Sequence, residues 1–323
     1  MKKEIFLKLK VKLPRIKKNV SLKNFTTYKI GGLAEYFFVA KSKEDLMGAV
    51  KIAKEFKWPI FILGGGSNLL ISDKGLKGLV IKMDILGIEF KGNKVYAGAG
   101  TDLTNLAYSS LDNGLSGLEW AAGIPSATIG GAVYGNAQAF GTRISDNIKS
   151  VEALDLKTLR IINFNKNQCA FSLKNSIFKK NKKLVIISVI LELKTNNKKE
   201  IAEKIKEHLA HRKKGHPVNF PSAGSTFVNP EKKIIDKRLL KKYPELKNFN
   251  ERGIIPAGYL IQKTGLQGKI IGGAQISPMH ANFIVNIKNA KAKDVLTLIK
   301  LAQKKVKKTF GILLEAEVQF IGF

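Results

Sequence analysis

Cysteine is nearly absent from this chain. Cys169 is the only thiol in 323 residues, so no internal disulfide can form and a reducing, cytoplasmic setting is expected. The four histidines, His208, His211, His216 and His280, hold no zinc-type spacing with Cys169, and no metal site is expected. Long apolar runs are also missing. The longest, such as Leu184–Ile187, are strand-sized and far below the roughly 20 residues that span a bilayer, so no membrane contact is expected. Residues 1–18 interleave lysines and Arg15 with apolar side chains, without the continuous apolar centre of a signal peptide; residues 1–20 are read as a basic extension. Acids are scarce as well: 25 Asp and Glu against 56 Lys and Arg leave a formal charge of +31. The lysines spread along the whole chain with no aromatic-basic signature, so weak polyanion adhesion is expected but no specific nucleic-acid partner. The positive field suits a phosphate-bearing substrate. Three catalytic signatures are absent: no Gly-x-x-x-x-Gly-Lys-Ser/Thr, no dinucleotide fingerprint completing Gly98–Ala99–Gly100, and no Gly-x-Ser-x-Gly elbow.

What is present is glycine in a telling place. The apolar run at residues 61–63 breaks into Gly64–Gly65–Gly66, then Ser67, Asn68 and Leu69, the pattern of a strand delivering an anion-binding loop. Alone, it reads equally as a tight turn. A second small-residue segment holds Gly123, Ile124, Pro125, Gly130, Gly131 and Asn136, again able to expose main-chain donors, or to be a structural loop. From Gly114 to Gly141 the only charge is Glu119, the composition of a buried loop packed on something large, such as a cofactor.

Periodicity supplies the frame. Ser42 reads as the cap of a helix carrying Leu46, Val50 and Ala53, and Thr101 as the cap of a second helix stopped at Asn113–Gly114. Strands are expected at 151–156, 160–164 and 184–193, helices at 198–212 and 293–310, and a last strand at 313–321. Two further places have chemical promise. Ser225, between Gly224 and Thr226, has the form of a proton donor with Asn229 nearby, or of an ordinary turn serine. In Glu315–Ala316–Glu317, strand alternation puts both acids on one face, where such a pair is usually solvated.

In order along the chain, Asn24–Thr27 with Ile30–Gly32, Leu63–Leu70, Gly114–Glu119, Gly123–Gly141, Ser222–Pro230, Ser277–Asn286 and Leu314–Gly322 resemble the UDP-N-acetylenolpyruvoylglucosamine reductases. The resemblance implies an α+β fold: an FAD-binding domain of the vanillyl-alcohol-oxidase type over 21–195, with subdomains of about 21–86 and 87–195. A linker helix and α+β substrate-binding domain over 196–310 would follow, with residues 311–323 as a strand returning to the flavin. It implies a monomer that uses NADPH and FAD to reduce the enolpyruvyl ether of a UDP-sugar, for peptidoglycan. By the same resemblance Ser225 donates the proton, Glu317 assists, and Lys174 meets the substrate carboxylate. Gly64 to Leu69, Gly123 to Pro125, Gly130, Gly131, Asn136 and Arg212 hold FAD, while Asn229 and His280 bind substrate. The chain departs from the family where Leu173–Lys174 replaces Tyr-Arg, which loses a bidentate fork. Gln267 replaces a lysine, the Gly123 loop is one residue longer, and the 193–222 segment matches the variant without an added clamping loop. A flavin-dependent sugar or alcohol oxidase, which needs no serine donor, and a basic nucleic-acid-binding protein are the alternatives.

Overall fold

The computed structural model describes residues 9–323. The chain groups into two compact units that interleave along the sequence. One takes in residues up to Val20, Leu33–Gly66 and Leu76–His211; the other Ser21–Gly32, Ser67–Gly75 and Arg212–Phe323.

The first unit is built on two main sheets. Leu33–Ala40, Leu76–Met83 and Ile60–Leu63 pair in parallel, with Lys17–Ser21 on the outer edge. Buried runs such as Tyr36–Phe38 and Leu79–Ile81 are what a parallel sheet covered on both faces requires. The crossover helix Lys43–Glu55 buries Leu46, Ala49, Val50 and Ala53 at helical spacing. Its start is sharp because Ser42 Oγ accepts the Asp45 N–H at 3.1 Å. The second sheet is antiparallel, ordered Ile161–Asn165, Ile148–Asp155, Leu184–Glu192, Lys94–Gly98, Ile88–Lys91. The helix Leu103–Asp112 is capped by Asp102, whose carboxylate accepts the Asn105 N–H at 2.9 Å, one residue later than Thr101.

Residues 9–20 are no loose basic arm. Leu9, Leu13 and Ile16 are buried in the first unit's core and Lys17–Ser21 is a sheet strand, so the lysines lie between apolar anchors. Residues 1–8 of the expected extension lie outside the described residues.

The second unit is an antiparallel meander, Ile270–Ile271, Ala274–Ile276 and Ile284–Asn286, closed by the helix Ala292–Phe310. That helix buries Val295, Leu298, Ile299, Ala302 and Val306, its valine, leucine and isoleucine side chains contributing about 1.5–3 kcal/mol each, and ends at Gly311 with φ +70°. Two short segments from the N-terminal half belong here because of their packing: Tyr28, Ile30 and Leu70 lie in this core, and Asp73 accepts the Ala292 N–H at 3.0 Å. The expected strand over 313–321 is regular only at Gln319–Ile321, which pairs in parallel with Leu69–Ile71. Before that, Ala316 makes a single bridge to Phe227.

Candidate active site

In the first unit the strand Ile60–Leu63 runs into the triple glycine, and the main chain there lies directly on the second glycine-rich loop. A Cβ at Gly65 would sit 1.5 Å from the Ser126 carbonyl oxygen, and one at Gly64 3.0 Å from Thr128 Oγ1. Only glycine allows that approach at position 65. The second loop turns through left-handed residues, Gly123 at φ +75° and Ser126 at φ +53°, and leaves Pro125 exposed and Ile124 half-buried. Two of its expected exposed donors are spent internally. The Gly130 N–H donates to Ala99 O at 3.0 Å, and the Gly131 N–H to Thr128 Oγ1 at 3.3 Å, capping the short helix Ile129–Tyr134. Gly130 is there for packing, since a Cβ would come within 2.9 Å of Ala99.

Asn136 links this loop to Lys174. It is 1% exposed with φ +44°, and its Nδ2 donates to Ser172 O at 2.9 Å. Ser172 and Asn175 close a tight turn by reciprocal main-chain hydrogen bonds of 3.1 Å, and Leu173 and Lys174 form its tip. Lys174 adopts φ +51°, which costs a non-glycine residue about 1–2 kcal/mol. The turn is held on both sides: Ser176 Oγ donates to Tyr134 O, and Lys179 Nζ to Lys174 O, each at 2.8 Å. Asn136 Oδ1 is buried with no protein donor among the described residues.

In the second unit Ser225 follows Gly224, whose φ is +74°. Ser225 is half-buried, and no protein hydrogen bond engages its side chain among the described residues. The next residue carries the important link: Thr226 O accepts the Glu317 N–H at 2.8 Å, and the Val228 N–H donates to Glu315 O at 3.0 Å. Glu317 is half-buried while Glu315 is exposed, so the two acids do not share an environment; the segment is not a regular strand there, and alternation fails.

Asn68 spends one side-chain N–H within the protein. Its Nδ2 donates to the Glu317 carbonyl at 3.1 Å, and its own carbonyl accepts the Gln319 N–H at 3.1 Å. Leu69 likewise is a ladder residue paired with Gln319, while Ser67 is half-buried at the start of this segment. Asn229 is exposed and its Oδ1 accepts the Ala257 N–H at 3.0 Å, capping the helix Ala257–Lys263. Arg212, half-buried near the end of the helix Lys198–Gly215, has its pKa drawn below the ordinary guanidinium value by burial.

His280 is half-buried beside His216, ring centroids 5.4 Å apart, with Phe283 at 5.0 Å. Its Nδ1 accepts the Asn282 N–H at 3.2 Å, which puts the proton of the neutral ring on Nε2, and burial lowers its pKa. Asn282 itself escaped the sequence reading, although it lies inside the Ser277–Asn286 block; nothing local says that its amide grips a loop 55 residues away. Among the described residues no cluster of three His, Cys, Asp or Glu could hold a metal, and no helix is long and apolar enough to cross a membrane. Cys169 is buried, which pushes its thiol up to about 11 and leaves it unreactive.

A family model for the C-terminal domain of UDP-N-acetylenolpyruvoylglucosamine reductase matches residues 216–321, and one for an FAD binding domain matches residues 34–163. The UDP-N-acetylenolpyruvoylglucosamine reductase of Caldicellulosiruptor bescii is 40% identical over 94% of this chain and 90% of its own length. That of Caldanaerobacter subterraneus subsp. tengcongensis is 36% identical over 94% and 93%. The crystal structure of UDP-N-acetylenolpyruvylglucosamine reductase from Thermus caldophilus aligns with a TM-score of 0.76 and 32% identity, over 95% of this chain and 99% of that one. Identity at this level over nearly the full length shows that the chain belongs to the UDP-N-acetylenolpyruvoylglucosamine reductase family.

Proposed function

We propose that this chain is an FAD-containing oxidoreductase that reduces the enolpyruvyl ether of UDP-N-acetylglucosamine to the lactyl ether of UDP-N-acetylmuramate, with NADPH as reductant. Family membership and the FAD binding domain match support the reaction and the cofactor. The first unit's residues fit the cofactor. Main chain laid on main chain at Gly65 and Ser126 leaves a small-residue surface for close contact, and the orphaned Asn136 Oδ1 offers an acceptor to a ribityl hydroxyl or ring N–H. When bound, FAD takes two electrons from NADPH and supplies a hydride to the terminal vinyl carbon of the substrate.

The protein's task is to manage what hydride addition leaves behind, an electron pair on the carbon next to the carboxylate. Ser225 Oγ–H gives that carbon its proton and recovers one from water, so the sum is substrate, NADPH and a proton going to product and NADP+. Lys174 offsets the substrate carboxylate as a single point charge, and Glu317 helps protonate the developing enolate. His280, neutral with Nε2–H outward of its Nδ1 bond, is a donor toward substrate. The observation that carries this assignment is the 2.8 Å hydrogen bond from Glu317 N–H to Thr226 O, which binds the two proton-handling residues into one local frame. The enzyme acts as a cytoplasmic monomer without a specific nucleic-acid partner; light scattering of the purified protein at one protomer's mass, at moderate salt, checks this.

The direct test is a flavin spectrum of the purified protein and NADPH consumption with and without the enolpyruvyl substrate. Acceleration by that substrate is expected. A flavin-loaded protein indifferent to it overturns the assignment.

A further inference from the structure

We infer that Asn282 is the positioning residue of this site, an amide clamp that keeps Ser225 and Glu317 in mutual register; the inference rests on the reading of Ser225 as proton donor. Asn282 is 3% exposed. Its side chain serves both polar atoms of Phe227: Oδ1 accepts the Phe227 N–H at 2.9 Å, and Nδ2 donates to Phe227 O at 2.9 Å. Its own carbonyl accepts the Thr226 N–H at 2.7 Å. One residue thus supplies three hydrogen bonds to the two residues that follow Ser225, acting as a strand partner where no strand runs.

The opposite edge of Thr226–Phe227 is the Glu317 side. There Thr226 O accepts the Glu317 N–H, Phe227 bridges Ala316, and Val228 donates to Glu315. Both edges of this two-residue segment are therefore occupied, and a shift on the Asn282 edge moves Ser225 relative to Glu317. The main-chain N–H of Asn282 also donates to His280 Nδ1, a bond that a change of the Asn282 side chain leaves in place. An amide holds a donor and an acceptor side by side, which an ionised carboxylate does not. A carboxylate repels Phe227 O, and an apolar side chain leaves two buried main-chain groups unpaired.

Asn282→Asp is isosteric and, ionised, keeps one of the two bonds. Mixed with NADPH and then with the enolpyruvyl substrate, the variant is expected to reduce its flavin within about 3-fold of the wild-type rate but to reoxidise it about 100-fold more slowly, the cost of misplacing a catalytic group by an ångström or so. In a Ser225→Ala background the same change should slow reoxidation by less than about 3-fold more, because the group it positions is gone. Hydrogen exchange of residues 222–229 should quicken in the variant, a readout independent of turnover. Should Asn282→Asp not fold, Asn282→Ser serves in its place. Equal slowing of both half-reactions, or full multiplication of the two effects, overturns the clamp while leaving the donor assignment intact. If Ser225→Ala alone leaves reoxidation untouched, the donor reading fails and the clamp's function fails with it.

Discussion

The side-chain amide of Asn68 donates to the main-chain carbonyl of Glu317 at 3.1 Å, across 249 residues of sequence. The last polar residue of the first glycine loop is thereby a fastener for the chain's closing segment, and the flanking ladder from Leu69 to Gln319 continues it. A residue with the local signature of a phosphate ligand sets where the backbone of Glu317 lies.

Asn68→Ala is therefore expected to retain FAD at the wild-type flavin-to-protein ratio while losing about 10-fold in substrate turnover, the equivalent of roughly 1–1.5 kcal/mol for one lost hydrogen bond. Absorbance of the purified variant and steady-state NADPH consumption check it. Loss of flavin with normal turnover per bound flavin would place Asn68 among the cofactor ligands after all.

Gly65 and Gly131 should behave oppositely. Gly65→Ala drives a methyl into the Ser126 carbonyl, at 1.5 Å, and should cost about 3 kcal/mol or more, with a lowered Tm and weakened flavin retention. Gly131→Ala meets nothing closer than Thr128 Oγ1 at 3.3 Å, lies in a helix, and should leave Tm unchanged or raised by up to about 1 kcal/mol of stability. Thermal melts of both variants, with flavin fluorescence, decide the matter. Equal tolerance at the two positions would contradict the packing described.

These cases show how far the sequence was readable. The helix capped at Ser42, the sheet strands and the loop bearing Ser225 are local patterns, and residues within four positions determine them. The uses of Asn68, Asn229 and Gly130 are not local. Whether a donor faces a ligand or a distant main-chain carbonyl depends on which segments tertiary packing brings together. Glu315 and Glu317 part company for a similar reason: alternation holds only where a strand is regular, and here pairing begins at Gln319. The basic N-terminal stretch misled because its lysine density hid the spacing of Leu9, Leu13 and Ile16, which anchor it.

In the proposed reaction Lys174 meets the substrate carboxylate with a single point charge, where a bidentate group would grip better. Lys174→Arg should preserve or raise kcat/KM for the enolpyruvyl substrate, and Lys174→Ala should lower it about 100-fold by removing the charge. Steady-state kinetics with varied substrate measure both. A large loss in Lys174→Arg would remove Lys174 from the carboxylate contact.

His280 gives the fold a pH dependence with a definite sign. Burial holds its folded pKa below the ordinary 6.5, so as pH falls through that value the unfolded chain takes up a proton that the folded one resists. Stability is therefore full above pH 6.5 and declines below it, in a window above that of the carboxylates. Melting curves between neutral and mildly acid pH should show a fall that flattens in His280→Gln. An unchanged slope in that variant would mean the ring is solvated in the folded protein.

The central claim is that Ser225 supplies the proton that completes reduction of the enolpyruvyl ether. Its most direct test is stopped-flow recovery of flavin absorbance when NADPH-reduced wild-type and Ser225→Ala enzymes are mixed with substrate. The account predicts flavin reduction at matching rates in the two proteins and reoxidation slowed by about 100-fold to 10,000-fold in the variant. Reoxidation at the wild-type rate, or equal slowing of both half-reactions, would contradict it.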